Sequence, residues 1–395
     1  MSETRQKKRT ICVFTGGRSD YGLLRPLMDE IKQDQNLRLK VLVSGMHLSA
    51  EFGWTYRQIE KDGFFIDQKV KIPLNPDVDK GMGKSIGVGI IRFVDALKEL
   101  NPDILVVLGD RFEALAVAIA AMTLRIPIMH LYGGEASWGM MDEAMRHSIT
   151  KMSVWHCTAT EVYRNRVIQL GEHPRRVFNV GALGIDNIKK MKLLSKEDLE
   201  KALGVKFQKR NILVSYHPVT LEGNTAGTQF KNLLSVLEKL EDTFIVFTKS
   251  NADFGGRLIN QMIDKYVSEH AKRSKVFVSM GQLNYLSTMK FVDAVVGNSS
   301  SGLIETPCFK IGTIDIGDRQ KGRIAGQSVI HCSPTKASIK KVFEKLYSVD
   351  FQRALKRAPN LYGEGNAAGR IKKILKESSL KDIIKKEFYD IQGLE

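Results

Sequence analysis

DILVVLGDRFEALAVAIAAMTLRIPIMHLYGG, residues 103–134, decides the fold. Two short apolar runs, 103–110 and 127–134, flank a segment from Arg111 to Leu124 that reads as a helix. The runs close on Gly-Asp and on Gly-Gly, the punctuation of a chain leaving a strand. A continuous apolar run between turn signals fits a strand buried on both faces. Strand, helix and strand in this order make a parallel crossover.

The same alternation extends both ways. TICVFTGG (10–17) and LRLKVLVSG (37–45) precede it, and VWHCTAT (154–160) and VFNVG (177–181) follow. Tyr21 to Gln33, Ile86 to Leu100 and Met141 to Met152 read as the intervening helices. A second series runs through NILVSYHP (211–218), TFIVFTKS (243–250), KVFVSMG (275–281), DAVVGNSS (293–300) and FKIGTIDIG (309–317). Two such series in 395 residues predict an α/β protein of two doubly wound domains. The expected limits are 1–184 and 185–365, with a seam in the charged stretch around LLSKEDLEKALGVKFQKR and a C-terminal helical segment over 366–395. Ligands of such sheets sit beyond the carboxyl ends of the strands, so a cleft lined by those loops is the expected site.

Composition narrows the function. No apolar stretch nears the ~18–20 residues of a membrane span. Ile11 to Phe14 is too short an apolar run for an export signal after MSETRQKKRT, so the expected location is cytoplasmic. Cys12, Cys157, Cys308 and Cys332 form no CxxC pair, which fits reduced thiols and no zinc site. Sixty Lys+Arg against 44 Asp+Glu leave a net charge of +16. That excess fits an anionic small substrate or a merely solvated basic surface. The Lys runs lack interleaved aromatics and no nucleic-acid signature appears, so nucleic acid and membrane are not expected partners.

Polar chemistry gathers at the strand ends. GNSSSG (297–302) reads as an anion-binding turn opening a helix, or equally as an ordinary helix cap, with Glu305 one turn on for a ribose diol. IGDRQKGR (316–323) concentrates Arg319, Lys321 and Arg323 in one loop; Arg18 in GGRSD and Arg111 in GDR are further guanidiniums. In GGEASWGMMDEAMRHSITK (133–151), Glu135 precedes a helix on which Asp142/Arg146 and Glu143/His147 are i,i+4 neighbours. Such pairs also occur as simple surface ion pairs. Asp110 and Glu135 end two strand-like runs, and convergent carboxylates of unlike pKa divide proton abstraction from proton donation. His217 stands at a strand end, His47 is similarly placed, and His130 lies in an apolar run as a core residue. GMGKSIG (81–87) reads as a loop entering a helix, because Val78 occupies the first glycine position of a P-loop and Ile86 the third of GxGxxG. No histidine pair has metal-ligand spacing.

Taken together, GRSDYG, GMHLS, LGDRFEA, GGE with DEAMRHSITKMS, RVIQLGE, FNVGALGIDN, SNAD, GNSSSGLIE and IGDRQKGR resemble the hydrolysing UDP-N-acetylglucosamine 2-epimerases, in order over about residues 9–378. The resemblance implies a glycosyltransferase-B-like fold of two Rossmann-like domains, with the last helix crossing back to the first. It implies removal of the C2 proton with loss of UDP, a 2-acetamidoglucal, then water addition to give N-acetylmannosamine for sialic acid synthesis. No cofactor and no metal are required, and a homodimer or homotetramer is the family habit. Carried over by motif, Asp110, Glu135 and Asp142 are the acid/base residues, with His217 beside the β-phosphate. Arg18, Arg111, Ser299, Ser300 and Gly302 hold the diphosphate. Glu305 takes the ribose and Arg319, with the backbone at Met280 to Leu283, frames the uracil. Asn251 and Asp253 sit near the sugar or its neighbouring loop, and His47 is a further substrate-binding candidate placed like His217.

This chain has Tyr132 where several relatives carry a carboxylate (HIEGGE), which shifts weight to Glu135. GGE-to-Asp spacing is one residue longer than in the animal enzymes, leaving Asp142 and Glu143 as alternatives. Trp54 and Trp138 stand in active-site loops where smaller or polar residues are common in the family, and either reshape the sugar pocket or simply pack. The leading substrate is UDP-N-acetylglucosamine. The alternatives are UDP-2,4-diacetamido-2,4,6-trideoxyglucose, a non-hydrolysing epimerase, a glycosyltransferase of the same fold, and a binding protein that would not need the carboxylates.

Overall fold

The computed structural model describes residues 8–74, 81–219, 222, 225–250 and 255–391. The chain divides into two compact units: Met1–Glu135, Asp142–Asn187 and Tyr362–Glu395 form one, and Ala136–Met141 with Ile188–Leu361 the other.

The first unit opens with β1 (Arg9–Thr15), α1 (Arg18–Gln33), β2 (Leu37–Ser44), α2 (Tyr56–Lys61), β3 (Gln68–Val70) and α3 (Gly81–Leu100). The crossover read from the sequence follows as β4 (Ile104–Leu108), α4 (Phe112–Thr123) and β5 (Ile128–Leu131). Then come α5 (Asp142–Met152), β6 (Trp155–Thr158), α6 (Glu161–Gln169), β7 (Val177–Asn179) and α7 (Leu183–Lys190). All pairings are parallel, in the order β3-β2-β1-β4-β5-β6-β7. The order reverses beside β1, so the loops after β1 and β4 are neighbours at the switch point. The apolar runs are buried on both faces, as Val106, Val107, Met129 and Leu131 illustrate.

GMGKSIG is helix rather than loop, because α3 begins at Gly81. The Ser85 hydroxyl donates to Gly81 O and Pro73 O, both at 2.8 Å, and ties down the first turn. Farther along, a Cβ on Gly89 would stand 3.1 Å from that of Ala116, so the small residues let α3 and the Ala-rich α4 approach closely. The edge strands β3 and β13 were not foreseen; at three and four residues they are too short for periodicity to declare them.

The second unit contains α8 (Lys196–Leu203), β8 (Arg210–Ser215), α9 (Ala226–Leu237), β9 (Thr243–Thr248), α10 (Gly256–Glu269) and β10 (Ser274–Phe277). It continues with α11 (Gly281–Met289), β11 (Ala294–Gly297), the short α12 (Ser301–Ile304) and α13 (Thr306–Phe309), β12 (Gly312–Ile316), β13 (Val329–Cys332), α14 (Lys336–Leu346) and α15 (Val349–Arg357). Its parallel sheet runs β10-β9-β8-β11-β12-β13. The charged stretch expected as a seam holds α8, which Ser195 caps through the Asp198 N–H at 3.1 Å and Gly204 ends at φ 62°.

After α15 the chain returns to the first unit as α16 (Ala367–Glu377). Asp186 accepts from the first backbone N–H groups of α16, Ala367 at 3.0 Å and Ala368 at 2.7 Å. Lys372–Glu30 (2.6 Å) and Lys376–Asp34 (3.0 Å) join α16 to α1 and the residue after it. Among the described residues no helix is long and apolar enough to cross a membrane.

Candidate functional site

Gly109 takes φ 76° directly after β4, and the chain turns to place Asp110 at the strand's carboxyl end. His130 fixes that turn from β5. Burial holds its pKa down at about 3, so the ring is neutral. Because Gly109 O can only accept, Nε2–H donates to it at 2.8 Å, leaving Nδ1 to accept from the Thr150 hydroxyl at 3.1 Å. The core histidine of the sequence reading is thus a brace for the Asp110 turn.

Arg146, on α5, is 1% exposed. It is ion-paired with Asp110, donates to Glu143 Oε2 at 2.7 Å, and donates to the backbone carbonyl of Glu135 at 2.8 Å. Burial alone would weaken its charge, but Asp110, Glu135 and Glu143 more than compensate and raise its pKa. Of the expected i,i+4 pairs, Glu143 and His147 lie within 3.4 Å, while Arg146 bonds Glu143 at i−3 and reaches Asp110 beyond the end of β4. Asp142 opens α5 beside Glu143, whose other oxygen lies 3.4 Å from His147 Nε2. Glu135 is 3% exposed. Gly134 precedes it at φ 77°, where a Cβ would lie 2.2 Å from Tyr163 O, so the second glycine of GGE is sterically required. Tyr132 also has positive φ, 67°, and its hydroxyl accepts from the Leu183 N–H at 2.9 Å, at the start of α7.

The loops after β1, β2 and β4 bring a second group together in the same unit. Arg18 begins α1. Arg111 lies 3.3 Å from the fully buried Glu113 carboxylate. Asp20 accepts from the Gly16 N–H at 3.3 Å, and burial pushes its carboxyl above the usual range against the pull of Arg111. His47 is buried in the 3-10 turn after β2, between Thr15 Oγ1 (3.0 Å) and Thr55 Oγ1 (2.8 Å), and burial lowers its pKa to about 4.

In the second unit, Gly297 ends β11 at φ 136°, where a Cβ would fall 2.1 Å from Ser215 O. That close approach aligns the ends of β8 and β11. Asn298 then clamps His217, accepting its N–H and donating to its carbonyl, each at 2.7 Å. His217 Nδ1 lies 3.2 Å from Ser250 Oγ. Ser299 and Ser300 lead into α12, on which a Cβ at Gly302 would press to 2.6 Å from Thr313 Cγ2. Glu305 is bonded by the Ser301 hydroxyl, which also accepts from Tyr285 OH at 2.9 Å. Burial raises the Glu305 carboxyl, with Ser301 opposing. Arg319 and Gln320 both donate to Asn298 O, at 2.9 and 2.7 Å. Met280 caps α11.

Within the first unit, therefore, Asp110 and Glu135 meet at Arg146, and Arg18, Arg111 and His47 lie on the neighbouring strand-end loops. In the second, His217, Ser299, Ser300, Gly302, Glu305 and Arg319 surround one turn. Asn251 and Asp253 lie outside the described residues. Sequence reasoning assigned no role to Asp20, Glu113 or Gln320. Asp20 and Glu113 sit inside the quoted motifs GRSDYG and LGDRFEA, and Gln320 between two cations of IGDRQKGR. Among the described residues, no group of three or more His, Cys, Asp or Glu is arranged to hold a metal ion.

The sequence profile of a family described as UDP-N-acetylglucosamine 2-epimerase matches residues 29–376. The chain is 43% identical to "GDP/UDP-N,N'-diacetylbacillosamine 2-epimerase (hydrolyzing)" of Campylobacter jejuni, over 97% of this chain and all of that one. It is 38% identical to "Polysialic acid biosynthesis protein P7" of Escherichia coli, over 97% of this chain and 98% of the relative. The crystal structure of UDP-GlcNAc 2-epimerase from Neisseria meningitidis bound to UDP-GlcNAc shares the fold at TM-score 0.79 and 18% identity, covering 94% of this chain and 100% of that one. The α/β, glycosyltransferase-B-like class read from the sequence holds.

Proposed function

The chain belongs to the UDP-N-acetylglucosamine 2-epimerase family, and from that premise we propose that it is a hydrolysing 2-epimerase of a UDP-linked 2-acetamido sugar. The sugar is 2,4-diacetamido-2,4,6-trideoxyglucose. Its support is the name carried by the 43%-identical relative, matched along the whole of that chain. UDP-N-acetylglucosamine, giving N-acetylmannosamine, is the second reading, favoured by 38% identity to the polysialic acid protein.

The observation that carries the reaction class is the buried Arg146 joining Asp110, Glu143 and the Glu135 backbone. A guanidinium so placed holds Asp110 at the strand end, where its carboxylate can accept the C2 proton. As that proton leaves, the C1–O bond breaks and its electron pair departs with UDP, giving the 2-acetamidoglucal. Water oxygen then bonds to C1 and loses a proton, while C2 is protonated from the opposite face. Glu135 and Asp142 divide these last transfers. The sequence is redox-neutral acid/base chemistry and calls for no nicotinamide.

In the second unit Ser299, Ser300 and the backbone at Gly302 suit the departing diphosphate, with His217 beside it, and in the first unit Arg18 and Arg111 are cations suited to an anionic substrate. Glu305 takes the ribose hydroxyls and Arg319 the base, while His47, Asn251 and Asp253 serve the sugar. UDP-sugars are cytoplasmic metabolites, which supports a cytoplasmic enzyme.

The test is a proton NMR time course in deuterated water with each UDP-sugar separately. Free manno-configured sugar deuterated at C2, with stoichiometric UDP, is the expected result. A product still bound to UDP would make the enzyme non-hydrolysing, and faster turnover of UDP-N-acetylglucosamine would install the second reading. No release of UDP from either would overturn both.

A further inference from the structure

The six residues Ala136–Met141, which separate Glu135 from Asp142, group with the second unit rather than the first. Several contacts hold them there. Arg323 Nε donates to Ala136 O at 2.9 Å. Gly322 has φ 84°, and a Cβ on it would stand 2.7 Å from Trp138 Nε1, so the indole packs where only glycine leaves room. Lys321 Nζ lies 5.2 Å from the Trp138 ring centroid. A Cβ on Gly139 would stand 2.9 Å from Val219 Cγ1.

The same arginine also faces the other way. Arg323 Nη1 donates to Gln320 Oε1 at 3.0 Å, and Gln320 Nε2, 1% exposed as a residue, donates to Asn298 O at 2.7 Å. Asn298 opens the Ser299–Ser300 turn and clamps His217. An unbroken hydrogen-bonded path therefore leads from the anion-binding turn, through Gln320 and Arg323, to the peptide that follows Glu135. Neither Gln320 nor Arg323 is in the set assigned to substrate above. Resting on the reading of that turn as the diphosphate site, we propose that Gln320 and Arg323 are positioning residues, which hold the Ala136–Met141 segment to the turn that binds UDP within the second unit. The physical basis is the forked guanidinium: its planar, divergent N–H groups bond two acceptors at fixed geometry, which a lysine ammonium on a flexible stem cannot reproduce.

The experiment compares wild type with Arg323→Lys and Arg323→Ala, measuring UDP affinity, kcat and KM for the sugar nucleotide, and amide hydrogen exchange over 132–142 with and without UDP. Placement errors near 1 Å cost on the order of 10²-fold in rate, so kcat should fall by about that factor in both variants. Affinity for UDP should stay within about two-fold of wild type, since the relay touches the turn and not the ligand. UDP should slow exchange over 136–141 in wild type and not in the variants. Where Arg323→Ala fails to fold, Arg323→Lys and Gln320→Glu carry the same comparison. Three results overturn the proposal: kcat unchanged in Arg323→Lys, UDP affinity lost in step with kcat/KM, or no UDP-dependent protection of 136–141 in wild type. The exchange measurement needs only UDP. Its failure is therefore distinct from failure of the sugar assignment, which shows as no turnover by wild type.

Discussion

Arg146 carries its charge inside the first unit because three acidic residues offer it oxygens there. Replacing Asp110 with Asn removes one counter-charge while keeping the shape. Turnover should fall by about 10²–10⁴-fold, the range for loss of a general base, and UDP should still bind; calorimetry with UDP beside an initial-rate assay checks both. Retained turnover would remove Asp110 from the chemistry. Three buried histidines give a pH signature of defined sign. His47, His130 and His156 all have pKa values lowered by burial, the first two to about 4 and about 3. A lowered histidine pKa contributes stability above the ordinary value near 6.5 that is lost as pH falls below it. Unfolding free energies from denaturant titrations should therefore decline from about pH 6.5 toward pH 4, by up to ~1.4 kcal/mol per pH unit per histidine. His130→Asn should flatten that slope; equal slopes in the two proteins would show that His130 is not held neutral. At this scale the strand-end placement of Asp110, Glu135 and His217 was legible, because a polar residue closing an apolar run points to a strand end. The junction at Arg146 was not, since i,i+3 and i,i+4 charges look alike whether solvated or buried.

Strand ends are held together by glycines whose roles local sequence only half declares. Gly134 was visible as turn punctuation in GGE, yet its necessity comes from Tyr163 O, 29 residues away in sequence, at 2.2 Å from the Cβ it lacks. Gly134→Ala should destabilise the first unit by about 2–4 kcal/mol, as expected where a left-handed backbone meets a steric clash. Its kcat should also fall, because Glu135 is the next residue; thermal melts alongside rates would separate the two effects. Gly302, helical in backbone, is held small by contact alone, because a Cβ there would press on the Thr313 side chain. Helix and strand identities were otherwise well declared by periodicity, including the crossover over 103–134. Where reading failed, as at GMGKSIG, the helix starts earlier than its glycines suggest, and Ser85 ties its first turn to Gly81 O and to Pro73 O, the latter a contact from outside the motif that no propensity scale records.

At the scale of the molecule, the chain after α16 is fastened to the first unit by a buried carboxylate. Glu172, 1% exposed, accepts from His156 at 3.0 Å, Lys151 at 2.6 Å and Lys386 at 2.7 Å. Burial alone would raise its pKa, but those donors hold it at about 2. A depressed carboxylate contributes stability above its ordinary pKa near 4.5, and this is lost as pH falls from there through about 2. Breaking a fully buried pair costs about 3–5 kcal/mol; with the Lys151 side chain 40% exposed, Glu172→Gln should cost about 2–3 kcal/mol. Melting and proteolysis of residues 380–391 would register it, and an unchanged melt would show that the C-terminal fastening contributes nothing. By itself the sequence determined the α/β class, the two series of parallel strands, the loops that carry polar chemistry and the family resemblance, because strand burial and turn chemistry are written in local periodicity. Tertiary structure alone decided that Arg146 is buried, that Glu172 anchors a distant segment, and that Ala136–Met141 leaves the unit of its neighbours for the other. Each depends on residues far apart in the chain meeting at a few ångströms, where desolvation and steric exclusion act, and no window of sequence contains that distance.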